Sequence, residues 1–349
     1  MGAPEVRKLL VVKLRTLGDV LTTFPLLRAL KRMFPSARLD MVADEAYADC
    51  FTYHPDVDRF RAHPARALRA GGARAEIAHM RDFTGRLRRE RYDVYLDLYG
   101  TARTALWGLA GRIPRRLGFP LRARRWCYTQ TIAARHRYVV DLNLQFAEAL
   151  GGSGFDRRLA FFLGPGDGAA AEAHLHRGGW DPSRPMLGVS PGGGWPVKCW
   201  APERFGALAR RLREATGCQV VLTGTEAERP LLAACARELD TDPLEAVGLP
   251  LRTLAAVIKR CRVFVGNDSG PKYLAEAFSV PTLICYGPTD YINNNPPSAL
   301  RRVAVRDVPC RPCHSERCRE PRRVCLDDLD VDAVYAELAS LWRSGPGGV

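Results

Sequence analysis

The chain has 349 residues, a formal net charge of +14 and an ordinary apolar fraction of 46%. That length suits two domains better than one core, and no apolar run approaches the roughly 20 residues a membrane-spanning helix needs. The charge is uneven: residues 1–150 carry 27 Lys+Arg against 15 Asp+Glu, a net of +12, and the remainder carries 25 against 23, a net of +2.

A basic first half is either a solvated arginine-rich face or a surface for an acidic partner, such as a phosphorylated substrate or an anionic membrane. No nucleic-acid recognition motif accompanies the charge, so nucleic acid is not the expected partner. Only six of the basic residues are lysines. The opening MGAPEVRKLL has no apolar run of signal-peptide length, and the expectation is a cytoplasmic protein.

In chain order, Lys8–Leu14 reads as a first strand, followed by the turn Arg15–Asp19 and a helix through Leu30 and Phe34. Arg38–Ala43 alternates like a second strand. An arginine-rich amphipathic helix covers 74–90, Asp93–Tyr99 is a strand, Thr101–Ala110 a short helix, and Arg115–Phe119 a strand. A helix over 138–150 ends at two glycines. Residues 151–185 are rich in Gly, Pro and polar side chains and mark a domain boundary. The pattern then restarts. Met186–Ser190 is a strand, Pro191–Pro196 a glycine-rich turn, and Pro202–Ala215 a helix. Gln219–Thr223 is a strand, with helices over Glu226–Leu239 and Leu251–Arg260. Val263–Val265 and Pro281–Tyr286 are strands on either side of a helix starting near Pro271, and an amphipathic helix covers 330–343. Strands alternating with helices imply parallel, doubly wound sheets. The expected organisation is an N-terminal Rossmann-like domain over 1–165, a C-terminal Rossmann-like domain over 180–330, and a helix and tail over 330–349.

Four turns carry chemistry. Leu14–Val20 (LRTLGDV) follows the first strand, where ligands of open α/β sheets collect. Gly18 permits a close backbone approach, and Asp19 is either a helix cap or a general base reaching an acceptor hydroxyl. Val189–Phe205 (VSPGGGWPVKCWAPERF) places Gly192, Gly193 and Gly194 before a helix, with Lys198 as a compact cation suited to a diphosphate oxygen. No Gly-Lys-Ser/Thr follows, so it is not a P-loop. Trp195 and Trp200 either pack under the loop or stack on a base. Asn267-Asp268-Ser269-Gly270 lies between a strand and a helix N-terminus, which favours anions. Glu226 and Glu228, after the strand ending at Thr223, either start a helix or hold sugar hydroxyls.

Cys310, Cys313, Cys318 and Cys325 form a fifth constellation, with His314 among them. Four cysteines in sixteen residues can bind zinc or an iron–sulfur cluster as a structural staple, or pair as two disulfides, which a reducing cytoplasm disfavours.

LRTLGDVLTTFP, DLYGTARTALWGLAG, SPGGGWPVKCWAPERF and GNDSGPKYLAEAFSVPTLICYGPTD, in this order along nearly the whole chain, resemble glycosyltransferase family 9, the bacterial heptosyltransferases of lipopolysaccharide inner-core synthesis. The resemblance implies a GT-B fold: an α/β protein with two Rossmann-like doubly wound domains facing a central cleft. It implies inverting transfer of a heptose or related sugar from an ADP-sugar donor to an anionic, phosphorylated, lipid-linked saccharide, with no cofactor required for catalysis. The N-terminal domain takes the acceptor at the inner-membrane surface, and the C-terminal domain takes the nucleotide sugar.

By resemblance Asp19 is the catalytic base. Lys198 meets the donor diphosphate, and Asp268, Ser269 and Gly270 hold phosphate and sugar. Glu226 or Glu228 is the acidic donor contact. Gly18 and Arg103 face the acceptor, and Arg112, Arg115, Arg116, Arg122, Arg124 and Arg125 supply its phosphate-binding surface. Tyr273 stands where the family usually has histidine. Tyr can donate a hydrogen bond but carries no positive charge near neutral pH; Lys272 beside it could compensate. Rival readings are a nucleotide-sugar epimerase, a non-catalytic nucleotide-sugar-binding GT-B protein, and a metal-bearing nucleic-acid binder.

Overall fold

The computed structural model describes residues 5–120 and 122–344, without the side chains of 122 and 123. The chain divides into two compact units, Met1–Phe162 and Leu163–Val349. In the first, β1 (Lys8–Val12), β2 (Arg38–Asp44), β3 (Arg59–His63), β4 (Val94–Asp97), β5 (Arg115–Gly118) and β6 (Gln130–Thr131) form a sheet ordered β3-β2-β1-β4-β5-β6. In the second, β7 (Met186–Ser190), β8 (Gln219–Gly224), β9 (Leu244–Val247), β10 (Val263–Asn267), β11 (Thr282–Tyr286) and β12 (Arg301–Val305) are ordered β12-β11-β10-β7-β8-β9. Counted from its own first strand, each sheet has the same doubly wound order. All pairings between these strands are parallel. The strand order reverses between β1 and β4, and again between β7 and β10. Such switch points open crevices at the carboxyl ends of the strands.

The eight inner strands are those that the apolar runs predict. Helices cover both faces of a parallel sheet, so its inner strands are continuously apolar; LICY of β11 is buried throughout. The four edge strands, β3, β6, β9 and β12, are not predicted. RFRAH and RRVAV keep polar or partly exposed positions because one edge of the strand meets solvent.

Two helical readings change. Residues 151–185, read as a boundary, contain the helix Asp167–Arg177, which buries Ala171 and Leu175. Arg252 bonds its Asp167 at 2.5 and 3.1 Å. The helix Val331–Ser344 is not a separate appendage. Its Val334, Leu338, Leu341 and Trp342 enter the second unit's core beside Val263, Val265 and Leu283. Residues 345–349 of the expected tail lie outside the described residues.

The first unit buries two neutral histidines. His54 packs edge-on against Phe24 and Phe162, with centroids 4.3 and 4.9 Å away, and burial pushes its imidazole down to about 3. Burial, aided by His79 and Arg103, lowers His63 to about 4. An unfolded chain takes up these protons below about pH 6.5, whereas the folded one refuses them until much lower pH. Stability is therefore complete above that pH and is lost as pH falls. The expected slope is up to about 1.4 kcal/mol per pH unit for each histidine. Urea unfolding at pH 7.5 and 5.0 measures it. His54→Phe should make the fall shallower, and an unchanged slope in that variant overturns the assignment.

Candidate functional site

In the first unit the chain leaves β1 through Arg15, whose φ is 98°. A non-glycine residue in that region is strained, and such strain clusters at working sites. Thr16 is the N-cap of the following helix, Leu17–Leu21, and Asp19 is its third residue. Asp19 is therefore not the N-cap itself but closes a capping box, accepting from the Thr16 N–H. Its Oδ2 accepts from Thr16 Oγ1 at 2.9 Å, and its Oδ1 lies 3.5 Å from Lys13 Nζ. The side chain stays 30% exposed, enough to meet a ligand. Gly18 is buried in the same turn. Thr16 and Lys13 thus fix the carboxylate's orientation while leaving it reachable.

At the same end of the sheet, buried Asp97 ends β4. Its Oδ1 accepts from the N–H groups of Tyr99 and Gly100 at 3.0 and 2.8 Å, and its Oδ2 from Tyr128 Oη at 2.7 Å. Burial raises the Asp97 carboxyl against these bonds. Arg124 donates to the Gly100 carbonyl at 2.5 Å. Arg103, on the helix after this turn, donates to Glu76 at 2.7 Å and contacts His63 Nε2 at 3.2 Å. Arg112, Arg115 and Arg116 are not brought to this end. Arg115 is the first residue of β5 and pairs with Val94, which itself pairs with Leu9 near the start of β1. Arg115 donates to the Ala149 carbonyl, and Arg116 to the carbonyls of Cys127 and Ile113. Arg112 lines a surface pocket with Arg88, Arg91 and Asp93 at that opposite end. The Arg122 side chain lies outside the described residues.

In the second unit, four turns meet at the carboxyl ends of adjacent strands. Asn267, the last residue of β10, ties them together. Its Oδ1 accepts from the Trp200 N–H at 2.9 Å, and its Nδ2 donates to the carbonyls of Pro191 and Gly192 at 2.8 and 3.3 Å. Trp200 is fully buried in the core, so it supports the loop and does not stack on a ligand. Gly193 lies beside Ser269 and Asn267. Gly192 faces Glu228, where an added Cβ would sit 2.2 Å from Oε1. A side chain at this position would displace the Glu228 carboxylate from the loop.

Lys198 is held over the Trp195 ring, 4.4 Å from its centroid, and 3.4 Å from Asp268 Oδ2. Asp268 also accepts from Thr289 Oγ1 at 2.8 Å and lies 3.3 Å from Lys272 Nζ. Burial alone would raise its carboxyl; Lys272, Lys198 and Thr289 hold it below the usual carboxylate range. Ser269 and Gly270 open the helix Gly270–Ala277, and Ser269 Oγ is buried without a hydrogen-bond partner among the described residues. The arrangement offers a lysine, a hydroxyl and helix N-terminal N–H groups to an anion.

The two glutamates separate. Glu228 points at the Gly192 loop and accepts from the Thr225 N–H and Oγ1 at 2.8 and 2.9 Å. Glu226 turns to Arg229, at 2.5 and 3.0 Å, and to Gly248. Lys272 and Tyr273 are both buried, and the lysine Nζ lies 4.3 Å from the Tyr273 ring centroid.

The cysteine segment braces these turns. Arg311 donates to the carbonyls of Gly287 and Thr289 at 2.6 and 3.1 Å, and Arg323 to those of Pro196 and Cys199 at 3.0 and 2.8 Å. Cys310, Cys313 and Cys318 are exposed and Cys325 is buried. Burial pushes the Cys325 thiol up, and the three other thiols are near enough to add to the shift. Among the described residues no three His, Cys, Asp or Glu side chains are gathered as metal ligands. Asn267 and Thr289 lie at the polar turns after β10 and β11 that the sequence marks, without a role assigned to either; Arg311 and Arg323 were missed as site residues.

Comparison with known proteins identifies the family and the fold. Residues 80–323 match the model of glycosyltransferase family 9 (heptosyltransferase). Lipopolysaccharide heptosyltransferase 1 of Pseudomonas aeruginosa is 29% identical over 337 residues, covering 89% of this chain and 87% of that protein. A family 9 glycosyltransferase from Veillonella parvula superposes with a TM-score of 0.84 at 22% identity, covering 98% of each chain. The ADP-heptose lipopolysaccharide heptosyltransferase II of Escherichia coli superposes with a TM-score of 0.77 at 23% identity, covering 96% of this chain and 98% of that one.

Proposed function

The chain belongs to glycosyltransferase family 9 and is a glycosyltransferase of GT-B fold, and on that premise we propose that it moves a heptose from ADP-heptose to a hydroxyl of a phosphorylated, lipid-linked inner-core saccharide. What supports the donor half is the convergence of Gly192–Gly194, Lys198, Glu228 and Asp268–Gly270 at the carboxyl ends of β7, β8 and β10. The diphosphate is a dianion or more, and these turns present cation, hydroxyl and N–H groups together. Glu228, not Glu226, takes the donor's hydroxyls, because its carboxylate is the one against the Gly192 loop.

The reaction is a single displacement. Asp19 accepts the proton of the acceptor hydroxyl as that oxygen bonds to the anomeric carbon. The bond from the anomeric carbon to the β-phosphate oxygen breaks on the opposite face, so the configuration inverts. Negative charge then grows on the departing ADP, where Lys198, Ser269 and the helix N–H groups offset it. The arginine-rich first unit holds the acceptor's phosphates at the anionic inner-membrane face. No helix among the described residues is long and apolar enough to cross a membrane, so this placement is peripheral.

The test is thermal stabilisation by nucleotide sugars, followed by transfer to a phosphorylated inner-core acceptor. ADP-heptose well above its Kd should raise the free energy of unfolding by about 2–3 kcal/mol through mass action, and UDP-sugars should not. Stabilisation by a UDP-sugar alone, or ADP-heptose binding with no transfer to any such acceptor, overturns the reading.

A further inference from the structure

Lys272 has no exposed surface, so it cannot touch a donor directly. Its ammonium donates to Tyr286 Oη at 2.6 Å and approaches the Asn294 carbonyl at 3.4 Å. It lies over the rings of Tyr273 and Tyr286, at 4.3 and 5.2 Å, where the ring faces attract a cation. Its partner by charge is Asp268, at 3.3 Å. Burying a lysine costs several kcal/mol unless it is paired, so the question is what this pairing does for the site.

Asp268 has two lysines. Oδ1 faces Lys272 from the buried side, and Oδ2 faces Lys198 from the side of the glycine loop. Lys198 and Asp268 alone sum to zero charge, a poor match for a diphosphate. With Lys272 the three sum to +1. The other buried carboxylate nearby, Glu276, feels both Lys272 and Arg301, the latter at 3.9 Å, against a burial that raises it; neutral, or charged and balanced by Arg301, it leaves this excess in place.

We propose that Lys272 is a positioning residue that carries the counter-charge of Asp268 from beneath. Asp268 can then orient Lys198 without neutralising it, and Lys198 keeps its charge for the donor diphosphate. Lys272 is a fixed charge that acts through Asp268, behind the surface that meets the ligand. The inference rests on the donor-site reading above.

Charge-balance substitutions test it, with ADP affinity measured by calorimetry. Lys272→Met leaves Asp268 to Lys198 alone and should weaken ADP binding by about tenfold or more. Donor KM should rise with it, while kcat at saturating donor falls much less. Adding Asp268→Asn to that variant restores the net charge and should recover part of the loss, so that the double variant binds ADP more tightly than Lys272→Met alone. Lys272 as a mere core filler predicts the opposite, because the second substitution would then deepen the defect. Lys272→Met leaves a buried carboxylate exposed to no cation on one side and can fail to fold. The pair Lys272→Met/Asp268→Asn is then compared with Asp268→Asn alone: Lys272 acts through the Asp268 charge, so the two should bind ADP within about threefold of each other, and a difference of about tenfold or more overturns the inference. Wild-type affinity in Lys272→Met also overturns it. If the wild-type protein binds no ADP, the donor-site reading falls first and the inference with it.

Discussion

Asp19→Asn should reduce turnover by about three to four orders of magnitude, the upper part of the range for a lost general base. Asparagine keeps an oxygen for Thr16 Oγ1 and the same shape in the capping turn, so the fold should survive. What it loses is the ability to accept the hydroxyl proton. Asp19 belongs to the first unit and makes no part of the turns around Lys198, so ADP affinity should stay within about twofold of wild type. The measurement is single-turnover transfer with ADP calorimetry alongside. Turnover within about tenfold of wild type would place the base elsewhere.

Lys198→Met should act differently, on binding and chemistry together. Its ammonium, held over Trp195 and beside Asp268, is the exposed cation of the donor site. Removing one fixed group that meets the charge developing on a leaving group costs about two to three orders of magnitude in kcat, and the diphosphate also loses ground-state affinity. The expected signature is a raised donor KM, a lower kcat and weaker ADP binding, against the pure kcat defect of Asp19→Asn. Normal ADP affinity in Lys198→Met would remove it from the diphosphate site. Lys198→Arg should not restore full activity, because the planar guanidinium would stack on Trp195 and pair bidentately with Asp268 instead of presenting a compact point charge to the diphosphate.

The tight turns were legible because they are local. Gly-Asp after an apolar strand, three successive glycines and Asp-Ser-Gly before a helix each state their chemistry within a few residues. They also lie where the chain order of a doubly wound sheet puts its crevice. The arginines show the limit of this. Arg112, Arg115 and Arg116 are close in sequence to Arg103, yet β5 begins at the opposite end of the sheet from Asp19. A run of like charges says nothing about which end of a strand it occupies. Glu226 and Glu228 show the same limit at shorter range. Two residues apart on one turn, only one faces Gly192.

By itself the sequence determined the eight inner strands, the doubly wound class and the four loaded turns. These depend on apolar periodicity and on backbone-permissive residues, both of which are written locally. Tertiary structure decided the four edge strands, which one solvated side deprives of a continuous apolar run. It turned Trp200 from a stacking candidate into core, and showed the cysteine segment bracing the neighbouring turns through Arg311 and Arg323. It also decided that Lys272 lies under Asp268 and not beside the ligand. Each of these outcomes depends on which distant residues share a neighbourhood, and that is a property of packing, not of any stretch of chain.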